Sequence, residues 1–192
     1  THRYDGFTPI EETMQALVDI VRSGKALYVG LSNYPVDRLR EAVAYLKARD
    51  VRPLIYQGKY NMIARDVENG HLEAMNELGM GFTAFSPINQ GVLTNKYLNG
   101  IPADSRAGKG NHLQASFITP ELLENLRKLN AMAEQRGQTL AQMATAWILS
   151  RPEVTSVIIG PRTVEQMADS LKCIKSAPFT AEELERINQI LK

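Results

Sequence analysis

The residue types that could do chemistry in this chain gather where short apolar runs give out. The clearest case is Ser156-Val157-Ile158-Ile159-Gly160-Pro161-Arg162-Thr163, which leads straight into the helical pattern Val164 to Leu171. An apolar run that breaks at a glycine and resumes as a helix turns free helix N–H groups back toward the strand end, where they and the helix dipole attract an anion. Arg162 adds a guanidinium that can grip a phosphate through paired hydrogen bonds. That chemistry suits a nucleotide cofactor. Thr163-x-x-Gln166 also fits a capping box, which would stabilise the helix with nothing bound, and the sequence leaves both readings open.

Ser32 and Asn33 close a second apolar run, and Gln57 closes a third. Hydroxyl and amide groups gathered on one face could read a flat ring bearing a carboxamide, because each both donates and accepts. Taken singly, Ser32 and Asn33 are turn residues ahead of Pro35. His2 stands where a strand preceding the first helix would end, whereas His71 on a helix and His112 in a loop are expected to be solvated. Gly79-Met80-Gly81-Phe82-Thr83-Ala84 nearly spells a dinucleotide fingerprint, but it follows a helix and becomes a strand, the reverse of what that fingerprint requires. No Walker A loop, His-Glu-x-x-His pair or Gly-x-Ser-x-Gly elbow occurs. P-loop phosphoryl transfer, zinc proteolysis and serine hydrolysis therefore lack support.

Periodicity and turn chemistry predict the elements that must position these groups. Thr8-Pro9-Ile10-Glu11 reads as a cap, a first-turn proline and a third-position glutamate, opening a helix that ends at Gly24. Ala26 to Leu31 reads as a buried strand, Val36 to Leu46 as a helix, Leu54 to Gln57 as a strand, about 69–78 as a helix, and Gly81 to Phe85 as a strand stopped by Ser86-Pro87. Periodicity is lost from Ile88 to about Phe117, and so long a loop in a compact domain is usually functional. Helices opening at Thr119 and Thr139, a strand from Ser156 to Ile159, and helices opening at Thr163 and Thr180 complete the chain. Strict alternation predicts an α/β fold with a parallel sheet, either an open doubly wound sheet or part of an eight-stranded barrel. Polar groups repeated at each strand end favour the barrel, whose active face is built there. About four strands make half of one, with two edges left unpaired.

The chain has 192 residues, 44% hydrophobic and 22% charged, with a formal net charge of +1. This balance excludes nucleic acid and anionic membrane as main partners. Cys173 is the only cysteine, so no internal disulfide or cysteine-rich zinc site can form, no metal site is expected, and a reducing cytoplasm is the expected location. No run is long enough to span a bilayer and no signal-peptide pattern opens the chain. Thr1-His2-Arg3-Tyr4-Asp5 lacks an initiator Met and reads as an entry partway through a fold.

Tyr28-Val29-Gly30-Leu31-Ser32-Asn33-Tyr34, Gln57-x-x-Tyr60-Asn61, Phe85-Ser86-Pro87-Ile88-x-x-Gly91-x-Leu93-Thr94-x-Lys96-Tyr97 and Ile159-Gly160 with Gln166 strongly resemble the aldo-keto reductases. The look is that of the branch holding bacterial L-glyceraldehyde 3-phosphate reductase and the potassium-channel beta subunits. The resemblance implies one partial (β/α)8 TIM barrel domain over 1–192, comprising strands 5–8 with their helices, and a cofactor-covering loop at about 88–118. It implies NADPH as cofactor and a small aldehyde or ketone as substrate, with room for a homo-oligomer. By resemblance, Ser32, Asn33 and Gln57 hold the nicotinamide carboxamide. Phe85, Ser86, Pro87 and Ile88 line the ring and pyrophosphate, and Gly91, Lys96 and Arg106 belong to the covering loop. Gly160, Arg162, Gln166, Asp169 and Ser170 surround the adenosine end, with Arg162 placed for the 2′-phosphate. Of the family's catalytic Asp, Tyr, Lys and His, only the His is matched, by His2. The other three precede Thr1 in the family pattern, so these 192 residues alone are expected to be inactive, and Tyr4, Tyr28, Tyr34 and Lys25 do not replace them. The alternatives are a non-catalytic NADPH-binding regulatory subunit like the channel beta subunits, and an unrelated open α/β binding domain.

Overall fold

Four short apolar runs pair into a single parallel sheet. In the computed structural model, which describes residues 1–110 and 113–192, these are β1 (Val29–Ser32), β2 (Pro53–Lys59), β3 (Gly81–Phe85) and β4 (Val154–Val157). They lie in the order β1-β2-β3-β4, and every pairing is parallel. An order that follows the chain without reversal is what a barrel wall requires. A doubly wound sheet would reverse at a switch point.

The crossovers carry α1 (Ile10–Arg22), α2 (Val36–Lys47), α3 (His71–Leu78), α4 (Pro120–Gln135), α5 (Leu140–Leu149), α6 (Val164–Leu171) and α7 (Ala181–Ile190). Leu31, Tyr56, Phe82 and Ala84 occupy one face of the sheet, because parallel register partners point the same way. They join Met14, Leu39, Val43, Met75 and Trp147 in one buried cluster. The helices cover that face and leave the other to the site.

Threonine caps open four of these helices. Thr119, Thr139, Thr163 and Thr180 each accept a backbone N–H from three residues on. The expected cap at Thr8 does not form. Its hydroxyl donates instead to Asp5 Oδ2 at 2.8 Å, and α1 starts at Ile10 behind Pro9. The strand limits also move. Leu27 and Tyr28 lie outside β1 and are exposed, because β2 begins at Pro53, opposite Val29, and offers no neighbour further down. β4 starts two residues earlier than its apolar content suggests, leaving Ile158 and Ile159 beyond its end. The third helix is shorter than expected, preceded by a 3₁₀ turn at Asp66–Glu68.

His71 is not solvated as expected. Its Nε2 lies 2.9 Å from the Tyr34 carbonyl, and its ring sits 5.4 Å from that of Tyr56. His112 falls outside the described residues. The segment from Ile88 to Phe117 contains 3₁₀ turns at Asn89–Gly91, Asn95–Tyr97 and Ala115–Phe117, and buried Val92, Leu93 and Tyr97 pin it to the core. No residue of α6 is buried, and Val164, Met167 and Leu171 are exposed along it. Among the described residues, no helix is long and apolar enough to cross a membrane.

Arg136 closes the far side of the fold. Its guanidinium donates to Glu183 Oε1 at 2.6 Å, to the Ala177 carbonyl at 2.5 Å and to Gln138 Oε1 at 2.9 Å, and it lies 4.0 Å from the Phe179 ring centroid. Burial alone would raise the Glu183 carboxyl, but the Thr180 N–H and Arg136 outweigh it and hold that group below the usual glutamate range. A folded value below the unfolded one stabilises fully above the unfolded pKa and is lost as pH falls through the folded value. Arg136→Met is expected to cost about 2–3 kcal/mol in urea denaturation, the worth of hydrogen bonds to a charged group. Glu183→Gln should lower the melting temperature at neutral pH and shrink its further fall on acidification, and an unchanged acid response would count against this account.

Candidate functional site

One row of polar side chains crosses the open face of the sheet. The register pairs Ser32 with Gln57, Gln57 with Thr83, and Thr83 with Ser156. All four therefore point to the face opposite Leu31, Tyr56 and Phe82, near the C-terminal ends of their strands. One pleat nearer those ends, Lys59 pairs with Phe85. One pleat back, Gly30 and Gly81 flank Ile55. A Cβ on Gly30 would meet the Ile55 carbonyl oxygen at 2.9 Å, so β1 and β2 approach this closely only because that position lacks a side chain.

Residues Thr1 to Tyr4 run along the free edge of β1 in the same direction as the strand. The Thr1 nitrogen donates to the Gly30 carbonyl at 2.8 Å, and the Tyr4 N–H donates to the Asn33 carbonyl at 3.4 Å. This brings His2 beside the end of β1. Asn33 fastens the two segments, donating from Nδ2 to the His2 carbonyl at 2.9 Å and to Ser32 Oγ at 2.8 Å. Because Ser32 Oγ accepts that bond, its own hydroxyl proton remains free to donate outward. Asn33 Oδ1 and, among the described residues, the whole Gln57 side-chain amide are also without an internal partner.

The chain leaves β1 and β3 through left-handed residues. Asn33 has φ 55° and Ser86 φ 57°. Asn tolerates this region, while serine is seldom found there without support. Past Pro87 and Ile88, Asn89, Gln90 and Gly91 are also left-handed, with φ of 44°, 59° and 97°. The loop that follows carries exposed Lys96, whose backbone N–H is held by Thr94 Oγ1 at 3.2 Å, and exposed Arg106.

At the β4 end, Gly160 meets nothing within 4 Å of a notional Cβ and lies open. Thr163 Oγ1 accepts the Gln166 N–H at 3.2 Å, and Gln166 Oε1 accepts the Arg162 N–H at 2.8 Å. The capping box thus closes onto Arg162 rather than Thr163, and the Arg162 guanidinium stays exposed. Asp169 Oδ1 accepts from buried Gln142 Nε2 at 2.8 Å and from Lys172 Nζ at 3.1 Å, while Ser170 Oγ donates to the Gln166 carbonyl at 2.8 Å. Asp169 and Ser170 therefore have internal partners already.

Two buried tyrosines belong to the core beneath the helices rather than to this face, and they are unsuited to proton donation. Burial raises Tyr60, and its hydrogen bond to Glu68 at 2.6 Å raises it further. Burial also raises Tyr56, which donates to the Tyr34 carbonyl at 3.2 Å. A hollow of about 650 Å³ lined by Leu27, Tyr28, Lys47, Arg52 and Leu78 lies beneath the opposite ends of the strands and shares no residue with the polar row.

Ser32, Asn33 and Gln57 stand out in the sequence, whereas Thr83 and Lys59 do not, and Ser156 does so only as the start of an apolar run. Strand alternation was the available signal for these, since every second residue faces the same side. It needed the register, which a single sequence does not display.

Comparison with known proteins gives a consistent match. The model of the Aldo/keto reductase family matches residues 1–192. L-glyceraldehyde 3-phosphate reductase of Escherichia coli (strain K12) is 44% identical over 194 residues, covering 98% of this chain and 56% of the relative. A probable voltage-gated potassium channel subunit beta of Arabidopsis thaliana is 37% identical over 197 residues, covering 100% of this chain and 60% of the relative. An uncharacterized oxidoreductase of Bacillus subtilis (strain 168) is 36% identical over 190 residues, covering 98% and 56%. The chain thus spans between half and two-thirds of the length of these relatives.

Gly30→Ala tests the floor of the site. The added methyl must push β1 from β2, at a cost of about 1–3 kcal/mol for overpacking, and should lower the urea midpoint. An unchanged midpoint would show that the close approach at Gly30 is not needed.

Proposed function

This chain belongs to the aldo/keto reductase family, and from that premise we propose that it is the cofactor-binding part of an NADPH-dependent reductase of small aldehydes and ketones. The observation that carries this reading is the polar row at the strand ends, where Ser32 keeps a free hydroxyl proton and Gln57 a free amide beside the Asn33 link to His2. These groups fit a carboxamide, which needs donors for its oxygen and acceptors for its nitrogen. The similarity to L-glyceraldehyde 3-phosphate reductase supports a small aldehyde, of glyceraldehyde phosphate type, as substrate.

In this proposal the chain is strands 5–8 of an eight-stranded barrel, a reading supported by the order-preserving parallel sheet and the partial span of its relatives. NADPH, when bound, supplies the hydride. Ser32, Asn33 and Gln57 orient its carboxamide and so fix which ring face is presented. Phe85, Ser86, Pro87 and Ile88 form a wall along the ring and pyrophosphate. Gly91, Lys96 and Arg106 cover it from the loop, the two cations facing its charges. Gly160, Arg162, Gln166, Asp169 and Ser170 receive the adenosine end, where the Arg162 guanidinium selects a 2′-phosphate. His2 orients the substrate carbonyl. Residues 1–192 contain no match to the family's Asp, Tyr and Lys, so these residues alone are proposed to bind cofactor without turnover. A cytoplasmic location accompanies this reading, as does the capacity to form a homo-oligomer.

A second reading is a non-catalytic NADPH-binding regulatory subunit. The similarity to a probable voltage-gated potassium channel subunit beta favours it.

Titration with NADPH, followed by nicotinamide fluorescence, tests the binding claim. Ser32→Ala and Gln57→Ala should each weaken binding about tenfold, the equivalent of one hydrogen bond of roughly 1.4 kcal/mol. Arg162→Ala should erase most of the preference for NADPH over NADH. Unaltered affinity in all three variants would remove the basis of the proposal, and steady turnover by residues 1–192 alone would overturn the claim of inactivity.

A further inference from the structure

Asn61 lies just past the end of β2 and is completely buried, an uncommon setting for a side chain with two donors and an acceptor. Both ends of its amide are engaged. Oδ1 accepts the N–H groups of Ile63 at 3.0 Å and Ala64 at 2.8 Å, closing a tight local turn. Nδ2 reaches across to the next strand exit and donates to the Ser86 carbonyl at 2.9 Å.

That carbonyl belongs to the left-handed Ser86, φ 57°, and also accepts the Asn89 N–H at 2.9 Å. Asn89, Gln90 and Gly91 then continue in left-handed geometry into the long loop. A non-glycine residue stays in this region only where its surroundings over-determine it. Here the constraint comes from two donors on one carbonyl, and one of them is a side chain anchored in the turn that follows a different strand.

We propose that Asn61 is a positioning residue: by donating to the Ser86 carbonyl it fixes the left-handed exit of β3, and with it the start of the 88–118 loop, in the shape that receives NADPH. It does not touch the cofactor. The inference rests on the reading of Ser86 to Ile88 as a cofactor wall and adds a residue which that reading does not assign.

Asn61→Asp separates the two halves of the amide. A carboxylate still accepts from Ile63 and Ala64, so the local turn persists, but it loses the donor and faces the Ser86 carbonyl with negative charge. The full chain is examined by amide hydrogen exchange and by calorimetric titration with NADP⁺. The variant is expected to exchange the Asn89 amide faster while keeping the Ala64 amide protected, and to bind NADP⁺ at least tenfold more weakly. Affinity should recover at acidic pH, where the protonated carboxyl can donate to Ser86 again, with no such recovery in the unaltered chain. Unchanged affinity would overturn the proposal, as would parallel loss of Asn89 and Ala64 protection, which marks a merely structural role. If Asn61→Asp does not fold, exchange in the unaltered chain decides: NADP⁺ should slow the Asn89 amide, and no slowing rejects the inference. Failure of the unaltered chain to bind NADP⁺ would instead defeat the cofactor reading, while selective release of Asn89 in the variant would still tell whether Asn61 fixes the turn.

Discussion

The site depends on parallel register. Ser32, Gln57, Thr83 and Ser156 come from four strands separated by long crossovers, and they share a face only because neighbouring strands pair in the register that aligns them. Slipping any strand by one residue would send its polar group toward the helices and an apolar group into the site. Two irregularities set the offsets, one between Val29 and Gly30 and one between Phe82 and Thr83. Gly30 supplies the space in which β1 and β2 can meet. The packing of Leu31, Tyr56, Phe82 and Ala84 under the helices then makes the register costly to change, since any slip would place these side chains in the site.

Much of this order was legible because it is local. Four threonines predicted helix starts and cap them, each satisfying backbone donors through contacts within three residues. The polar residue at the end of an apolar run marks the end of β1 at Ser32, whereas β2 runs past Gln57 to Lys59. The errors arose where non-local partners decide. Leu27, Tyr28, Ile158 and Ile159 are apolar enough for a strand, yet they lie outside β1 and β4. Thr8 has the residue type and spacing of a cap, but Asp5 takes its hydroxyl. The sequence places His71 in solvent, although its ring lies tilted against that of Tyr56. Thr83 and Ser156 were hidden in another way, since their strands were recognised while their alignment was not.

The polar groups near the strand ends divide into those satisfied internally and those with spare capacity. Asp169 is bonded to Gln142 and Lys172, Ser170 to Gln166, and the Arg162 N–H to Gln166. These bonds hold α6 against α5 and shape the turn before it. The Ser32 hydroxyl proton, the Gln57 amide and the Arg162 guanidinium lack such partners among the described residues. Under the proposed function, the free groups stand at the two ends of an extended cofactor, at its carboxamide and its 2′-phosphate. The bonded set fixes the backbone from which the free groups project, while the free side chains keep their hydrogen-bonding capacity and lose rotamer entropy when they engage a ligand.

The same division bears on chemistry. Tyr56 and Tyr60 are buried, raised by that burial and committed to the Tyr34 carbonyl and Glu68. A phenol that must give up a proton near neutral pH needs a neighbouring cation and a partner that favours its anion. Arg65 and Arg151 lie near Tyr60, but burial and its hydrogen bond to the Glu68 carboxylate outweigh them and favour the neutral phenol. The buried phenols of this chain are thus placed as structural donors. His2 differs, since it lies exposed beside Ser32 with only its backbone fixed by Asn33. Under the proposed function, its imidazole is the group that orients the substrate carbonyl.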